Sequence, residues 1–336
     1  MRECKYLSPT SVDLFYKDRE EFYMRYCADN RPPRFPQTLP MAAGSAFDAF
    51  VKNYLVHALH GTVKPEFEIE AIFEAQVEEQ NRDWAFENGE HIFNLYQASG
   101  ALSNLMIELE QADEEPRFEF TVENRVAHDR VIGGIPLLGK PDIWFKTKAG
   151  NQIILDWKVN GYCGNKPTSP KKGYLRVCDG WTHSEDKPQS KNNKQQHKDC
   201  QPMIINGIQV NIAHYLEEVD VSWANQTTIY MWIMGEDVGT KAIVGIDQLC
   251  GVPRSSGLPD IRVATHRERV SPAHQEALML KIEGVWKAIQ TGIVFDEDNE
   301  AQCAKFDNMY RAFEYDPNDP NVNVDSEEWF KGILGR

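Results

Sequence analysis

An acidic and a basic side chain stand two residues apart in a segment that is otherwise mostly apolar. Residues 152–159 read Gln-Ile-Ile-Leu-Asp-Trp-Lys-Val, a composition that predicts a β-strand. Side chains two apart in a strand share a face, so Asp156 and Lys158 lie together with Ile154, and the odd-numbered residues face the other way. Burying such charges is costly unless they are paired or bind an ion. The strand is therefore a candidate for a chemically active site.

A second aspartate, Asp142, comes near the end of the preceding predicted strand, and residues 147–151 form a hairpin turn that would bring it close to Asp156. Two carboxylates and a backbone carbonyl form a hard-oxygen site suited to Mg²⁺ or Mn²⁺. A lysine beside the ion, here Lys158, can hold a water or neutralise charge on a phosphate, as in metal-assisted phosphodiester hydrolysis. The alternative is an Asp–Lys ion pair across strands, with Asp142 merely in a turn.

Pro141-Asp142 followed by Asp156-Trp157-Lys158 resembles the signature of the PD-(D/E)xK nucleases, and the flanking segments resemble the RecB-like branch, which includes the CRISPR-adaptation exonucleases. The further matching segments occur in the order of that branch. They are its opening helix (residues 6–11 and 22–26), a Gly-x-x-x-His-like helix (44–48), a Gln-x-x-x-Tyr helix (226–230) and the end of a late helix (289–292).

The resemblance implies a role for each matching residue. Asp142, Asp156 and the carbonyl of Trp157 would hold the metal ion, and Lys158 would be the catalytic lysine. Residues one helical turn apart share a helix face, so the pair at the ends of the Gln-x-x-x-Tyr motif would line the site and touch DNA or the lysine. These two residues are Gln226 and Tyr230; the alternative for them is a core-facing tyrosine with a capping glutamine.

Two further acidic positions are candidates. Asp48 stands where the resembled helix usually has a histidine, so it is either a third metal ligand or a solvated helix residue. Glu123 precedes the strand of Asp142 and could be an auxiliary acid, with Glu119 as a competitor on the same face.

The cysteines do not fit the iron–sulfur members of the resembled branch, which have one at the end of the first helix and three near the C-terminus. Cys27 comes too late and Cys303 stands alone, so no iron–sulfur cluster is predicted. A zinc site is unlikely as well, because the spacing of the remaining candidates does not match a standard zinc finger. These candidates are Cys163, Cys178, His183, His197 and Cys200.

Charge is unevenly distributed along the chain. The 36 basic and 51 acidic residues give a net charge of −15, which argues against a nonspecific nucleic-acid coat. Residues 158–198 nevertheless contain nine Lys or Arg and three Asp or Glu, a local charge of +6. Such an island suits an anionic ligand, and the alternative is a solvated loop. The DNA-binding candidates within it are Lys171, Lys172, Arg176, Lys191 and Lys194.

The elements that must position these residues indicate an α/β fold with a restriction-endonuclease-like core, a mixed central sheet flanked by helices, and an N-terminal helical lobe. We expect a helical part over residues 1–115, the core over 116–295 with a basic insertion at about 159–205, and an acidic tail over 296–336. The individual predictions are helices at 8–26, 43–60, 212–235 (or from 207) and 272–291, two or three more within 68–112, and strands at 117–123, 135–145, 152–159, 241–248 and 260–269.

The sequence therefore predicts a metal-dependent DNA nuclease, with an exonuclease favoured by the resemblance. The alternatives are an endonuclease and a catalytically inactive nuclease-fold protein that binds DNA or assembles with a partner in replication, recombination or DNA processing. No apolar run of about 18 residues and no signal-peptide core is present, so we expect no membrane span and a cytoplasmic location in a bacterial or phage-infected cell. The insertion hints at a viral or mobile-element origin.

Overall fold

A mixed β-sheet of seven strands is the scaffold of the protein. The computed structural model describes residues 4–29, 36–61, 65–118, 122–125, 134–178, 181–185, 202–205, 208–211 and 215–309. The strands are β1 (Arg117–Phe118), β2 (Val122–Arg125), β3 (Pro136–Gly139), β4 (Ile143–Lys146), β5 (Gln152–Asn160), β6 (Tyr174–Cys178), β7 (Trp181–Glu185), β8 (Pro202–Ile205), β9 (Ile208–Asn211), β10 (Ile243–Val252) and β11 (Asp260–Glu268).

The helices, in chain order, are α1 (Pro9–Lys17), α2 (Arg19–Phe22), α3 (Leu39–His60), α4 (Ile69–Gln76), α5 (Arg82–Ala98), α6 (Ala101–Glu110), α7 (Leu216–Val219), α8 (Val221–Ile233), α9 (Pro272–Thr291) and α10 (Asn299–Met309). A π-helical turn (Tyr23–Cys27) follows α2, and 3₁₀ turns (Pro65–Phe67 and Glu79–Asn81) flank α4.

The strand order in the main sheet is β1-β4-β5-β10-β11-β6-β7. Only β5 and β10 run parallel among the described neighbours of this sheet, and the other pairs are antiparallel. A parallel pair needs a long crossover connection, which here contains α7 and α8. The pairs β2–β3 and β8–β9 form separate two-stranded sheets. The fold is thus mixed α/β, with a mostly antiparallel sheet flanked by helices.

The two faces of β5 bury their side chains in different cores, as the period of two requires. Ile153 and Leu155 pack in a core shared with α3, α5 and α6. Ile154 packs in a second core shared with α1, α8 and α9. The sheet therefore lies between two helical layers, and the N-terminal helices are divided between these layers rather than forming one separate lobe.

Local sequence explains the two helices that matter most for the site. α3 has Pro40 in its first turn and ends at Gly61, whose φ of +69° suits glycine. It packs tightly on α5, because a Cβ added to Gly89 would lie 2.5 Å from the Cβ of Ala46. α8 is capped by Asp220, whose side chain accepts hydrogen bonds from the backbone N–H groups of the first turn.

The strand prediction for residues 135–145 was wrong in one respect, because the segment forms two strands that belong to different sheets. β3 pairs with β2, whereas β4 pairs with β1 and β5. The break falls at Pro141, which has no N–H to donate to a ladder. The prediction of one strand over 117–123 fails in the same way, since β1 and β2 lie in different sheets.

The basic insertion is not simply a loop where the structure describes it. β6 and β7 form a hairpin that extends the main sheet beyond β11. Residues 208–211, where a helix was a candidate, form β9, and the long helix begins only at Val221. These strands are only four or five residues long and contain no lysine, so their alternation is too short to stand out within the basic stretch.

Three helix boundaries also differ from those predicted. The first helix ends at Lys17, because Asp18 is extended and caps α2 with its side chain. The second begins at Leu39 instead of Ala43. The expected irregular tail starts with a helix, α10, in which Phe306 is fully buried against the core. Across the described residues, no helix has the length and apolar character needed to cross a membrane.

Candidate functional site

A cavity of about 280 Å³ opens where β4 begins and β5 approaches its end. Residues from both helical layers and from both strands line it. The lining contains Asp48, Asp142, Asp156, Trp157, Lys158, Gln226 and Tyr230, together with Ser45, Lys52, Gln76 and Lys140. The structure thus places together the seven residues for which the sequence predicted a role in metal binding or catalysis.

Asp142 and Asp156 face this cavity from neighbouring strands. Pairing between β4 and β5 ends at Ile143 and Leu155, so the two chain segments separate at Asp142 and Asp156. The backbone N–H of Trp157 then donates to Oδ2 of Asp142 at 3.0 Å, which fixes that carboxylate beside β5. The side chain of Asp142 is 21% exposed, whereas that of Asp156 is 4% exposed. One carboxylate is therefore open to a ligand and the other is almost fully enclosed.

Lys158 is held by two partners on the same side of the sheet. Its ammonium forms an ion pair with Oδ2 of Asp156 and donates to Oε1 of Gln226 at 2.8 Å. The amide nitrogen of Gln226 lies 2.8 Å from the Tyr230 hydroxyl and 3.4 Å from Oδ1 of Asp156. Gln226 therefore links the lysine, the buried carboxylate and the tyrosine and is not a capping residue. The ring of Tyr230 does pack in the core, as the alternative for the pair had it, and its hydroxyl meets Gln226 at the cavity.

Burial changes the ionisation of the two most enclosed acids at the site. Desolvation raises the pKa of Asp156 to about 6; Lys158 opposes that rise and the negative charge of Asp142 adds to it. Burial likewise raises the pKa of Tyr230 above its ordinary value, with Asp156 as a further cause. Tyr230 therefore stays protonated at neutral pH and can donate a hydrogen bond.

Close packing on β3 positions Tyr230. A Cβ added to Gly139 would lie 2.5 Å from Cδ1 of Ile233 and 2.7 Å from Cδ1 of Tyr230. Only glycine at this position allows β3 to approach α8 so closely. Gly139 therefore supports the site by letting Tyr230 pack closely, although it contributes no side chain to the cavity.

Lys52 is a site residue that the sequence reasoning missed. Its side chain is 1% exposed, and its ammonium lies 2.6 Å from Oδ2 of Asp48 and 3.4 Å from Oδ1 of Asp142. The signal was available, because Asp48 and Lys52 are four residues apart on one predicted helix and so share a face. Asp48 is accordingly not a solvated helix residue, since it faces the cavity and pairs with a buried lysine.

A buried polar network supports Trp157 from the other face of β5. The indole N–H of Trp157 donates to the Tyr96 hydroxyl at 3.4 Å, and that hydroxyl donates to Oδ2 of Asp247 at 2.5 Å. Arg267 bridges Asp247 and Glu108 at 2.8 and 2.9 Å. Because these buried groups hydrogen-bond one another, they hold Trp157, which lies between Asp156 and Lys158, in a fixed position.

The donor set fits a divalent ion that prefers oxygen. Asp142, Asp156 and Trp157 border one cavity, and their carboxylate and carbonyl oxygens are hard ligands of the kind that Mg²⁺ and Mn²⁺ take. Among the described residues, no group of three or more His, Cys, Asp or Glu side chains is gathered closely enough to hold a metal ion by itself. An ion here would therefore complete its shell with the carbonyl and water, as Mg²⁺ commonly does.

None of the other predicted residues is among the described residues that line this cavity. Glu123 is on β2 opposite Leu138, and its side chain is not described. Lys171 and Lys172 are exposed, and the ammonium of Lys171 lies 3.1 Å from Asp220. Arg176 is on β6 and its side chain is not described. The remaining predicted residues, Lys191, Lys194 and Glu119, lie outside the described residues.

The zinc candidates are not brought together by any described contact. Cys163 is exposed in the loop after β5. Cys178 and His183 lie on the paired strands β6 and β7, where only the backbone is described. His197 and Cys200 lie outside the described residues.

Comparison with known proteins adds little to this geometry. No family model and no curated protein matches the chain. A solved structure described as "Crystal structure of SSO0001" aligns with 86% of this chain and 89% of its own chain, at 9% identity and a TM-score of 0.24. A superposition as loose as this carries no conclusion about fold or function.

Proposed function

We propose that the protein is a metal-dependent DNA nuclease with a restriction-endonuclease-like core, acting as an exonuclease. One observation carries the proposal: the carboxylates of Asp142 and Asp156 and the ammonium of Lys158 border a single cavity where β4 and β5 separate. The resemblance to the PD-(D/E)xK signature requires these three side chains to meet, although they are separated by 14 and two residues in the chain. The β4–β5 hairpin alone would bring Asp142 close to Asp156; the additional support is that Lys158, Gln226 and Tyr230 border the same cavity.

Each residue of the site has a task in phosphodiester hydrolysis. A divalent ion bound by Asp142, Asp156 and the Trp157 carbonyl would supply Lewis-acid activation of water and neutralisation of charge on the phosphate. Lys158 donates to a phosphate oxygen as negative charge builds in the transition state. Gln226 keeps the ammonium of Lys158 directed along the cavity wall, so little reorganisation is needed when the substrate binds.

The size and charge of the cavity suit a phosphodiester group. Its volume of about 280 Å³ is just below the usual range for small-molecule pockets, which suits a small anionic group such as a phosphate. Three lysines, Lys52, Lys140 and Lys158, balance the three carboxylates at the wall, so a bound divalent ion would make the site positive. The exposed Lys171 and Lys172 would extend this positive surface along the DNA backbone.

The test is cleavage of an end-labelled linear DNA duplex with Mg²⁺ or Mn²⁺ and with EDTA. We expect metal-dependent release of nucleotides from the ends, and no cutting of covalently closed circular DNA. Asp156→Ala and Lys158→Ala should each lower the rate by about a hundredfold or more, since Asp156 would hold the ion and Lys158 would donate to the phosphate as negative charge builds. Lys146→Ala, a change at an exposed lysine on β4 outside the cavity, is the matched control and should cleave at the wild-type rate.

Wild-type rates in the Asp156→Ala and Lys158→Ala variants would refute the site assignment. Cutting of closed circles would make the protein an endonuclease, and cleavage of RNA alone would change the substrate class. These outcomes are separable because the same preparation is assayed on all three substrates.

A non-catalytic nuclease-fold protein that binds DNA is the second candidate. The observation that favours it is the ion pairing of Lys52 with both Asp48 and Asp142, because a buried ammonium already neutralises part of the carboxylate cluster. Such a protein would bind DNA without cleaving it and would show no heat of Mg²⁺ or Mn²⁺ binding. Calorimetric titration of the full chain with each metal therefore separates the two candidates.

A further inference from the structure

A row of aromatic side chains lies on the exposed surface of α3 and α5. The ring of Phe86 lies 5.2 Å from that of Phe50, and Phe50 stacks on Phe93 with the ring centroids 6.2 Å apart. The ring of Tyr54 lies 5.6 Å from that of Phe93. Phe86 is 44% exposed, Tyr54 is 36% exposed, and the other two rings are half-buried. We call these four residues the aromatic row.

The aromatic row lies outside the close-packed contact between the two helices. That contact is made where Gly89 of α5 meets Ala46 of α3, and α5 buries Ile92 and Tyr96 in the core. Phe86 is not among the buried residues of α5, and water reaches almost half of it. Removing apolar surface from water is favourable, and aromatic residues are enriched where proteins contact one another. A continuous row of partly exposed rings is therefore a candidate for a protein interface.

Acidic side chains flank the aromatic row. Residues 65–98 contain nine Asp or Glu and one Lys or Arg, a net charge of −8. Asp83 lies three residues before Phe86 and Glu90 lies four residues after it, so both share a helix face with Phe86, and both are exposed. Exposed carboxylates thus stand on both sides of Phe86 along α5, and the surface is apolar in the middle and negative around it.

The charge of this surface selects its occupant. Carboxylates repel the phosphates of DNA and of anionic lipids, and a symmetric dimer through the same face would bring two acidic surfaces together. A basic protein segment is attracted instead, and its Lys or Arg side chains can also pack over the aromatic rings. Phe86 and Phe93 are seven residues apart, two helical turns, which matches the spacing of apolar side chains along one face of a partner helix.

We infer that the aromatic row is a docking surface for a protein partner that presents a basic, amphipathic helix. The inference goes beyond the proposed nuclease function and does not depend on it. Phe50 stands two residues after the cavity-lining Asp48, and such residues point in directions about 200° apart around an α-helix. A partner bound to the row therefore leaves the cavity open to its substrate.

The probe is a labelled synthetic helix of about 18 residues, five turns, with leucine on one face and lysine on the other. Its binding to the full chain is measured by fluorescence anisotropy at about 0.15 M ionic strength, where charges farther apart than about 8 Å are largely screened. We expect saturable binding of one peptide per chain. A peptide with serine in place of leucine, and one with glutamate in place of lysine, should each bind about tenfold more weakly or worse.

Two variants test where the peptide binds. Phe86→Ser removes a ring of the row and should weaken binding of the lysine peptide by about tenfold. Glu90→Lys reverses an exposed charge beside the row, so it should weaken binding of the lysine peptide and strengthen binding of the glutamate peptide. The matched controls are Leu280→Ser and Glu276→Lys, which change an exposed apolar and an exposed acidic residue four positions apart on α9 and should bind like the wild type. Circular dichroism checks that each variant is folded.

The contrary outcomes are distinct from one another. Unchanged affinity in Glu90→Lys would overturn the inference even if Phe86→Ser failed to fold. Equal binding of the serine peptide would reduce the effect to attraction by an acidic protein, and equal binding of the glutamate peptide would reduce it to nonspecific apolar contact; either overturns the inference. A wild-type dimer in sedimentation velocity that Phe86→Ser converts to a monomer would assign the row to a second copy of the chain instead.

Discussion

Replacement of Asp156 by asparagine should stabilise the metal-free protein at neutral pH and should abolish the stabilisation of the protein by Mg²⁺. The pKa of Asp156 is raised from 3.8 to about 6, so the folded protein binds a proton there more tightly than the unfolded chain does. A raised pKa contributes stability that is fully present below about pH 4 and is lost as the pH rises through about 6. Two pKa units correspond to about 3 kcal/mol, and Asp156 is nearly fully buried, so little of this is screened by solvent.

Asp156→Asn removes this cost because an amide stays neutral at every pH. Without metal at pH 7.5, we expect the variant to be more stable than the wild type by up to about 3 kcal/mol, a figure that already includes the attraction between Asp156 and Lys158. At pH 4 the advantage should vanish, since Asp156 is then protonated in the wild type. The quantity to measure is the change, between pH 4 and pH 7.5, in the stability difference between the variant and the wild type. The other titrating groups contribute equally to both proteins, so their contributions cancel.

The assay is urea unfolding of both proteins in EDTA at pH 4 and pH 7.5, followed by far-ultraviolet circular dichroism. Asp83→Asn is the control, because Asp83 is an exposed aspartate on α5 and its replacement should give a difference that hardly changes with pH. A ΔΔG of unfolding for Asp156→Asn that is equal at the two pH values would refute the reasoning. It would mean that burial does not raise the pKa of Asp156, which is the basis of the expected difference of about 3 kcal/mol.

The metal response gives the same substitution a second readout. A ligand that binds only the native state stabilises it by RT ln(1 + [L]/Kd), about 2.7 kcal/mol at a hundred times Kd. Mg²⁺ should therefore stabilise the wild type at pH 7.5 and have little effect on Asp156→Asn. Equal stabilisation of the two proteins by Mg²⁺ would exclude Asp156 as a ligand.

Three further predictions concern the support of the site and its DNA-binding surface. Gly139→Ala should displace Tyr230 and cost about 1–3 kcal/mol, because the new Cβ would lie 2.7 Å from that ring; thermal unfolding and the cleavage assay measure both effects. Neutralising Lys171 and Lys172 together should flatten the slope of log K for DNA against log salt by at most about two units, and an unchanged slope would place the DNA elsewhere. Arg267→Met should destabilise the protein by about 3–5 kcal/mol in urea unfolding, since it leaves two buried carboxylates unpaired, and a loss below 1 kcal/mol would contradict the network.

Local patterns were sufficient to predict the strand that carries Asp156 and Lys158. β5 was bounded to within one residue, because its apolar run is interrupted only by these two charged residues. The turn before it was also predicted correctly: Gly150 has a φ of +82° and its N–H bonds to the carbonyl of Thr147. Both features depend on neighbouring residues, which a single sequence displays directly.

Tertiary contacts were beyond the reach of the same reasoning. The split at Pro141 depends on β3 pairing with β2 while β4 pairs with β5, and periodicity alone cannot assign a strand to a sheet. The network from Trp157 through Tyr96 to Arg267 contains hydrogen bonds between residues 151 and 159 positions apart. Nothing in the local sequence marks a tyrosine or an arginine as a member of such a network.

The placement of the cavity explains why the site cannot be read from one segment. Asp48 and Lys52 come from the helical layer on one side of the sheet, and Gln226 and Tyr230 from the layer on the other side. The described residues of the two layers come together at this cavity, where the pairing of β4 and β5 ends and Asp142 lies. The spacing of the layers therefore sets how far Asp48 and Lys52 lie from Gln226 and Tyr230. A change in either helical layer should alter metal binding even when every proposed ligand is retained, since residues of both layers line the cavity.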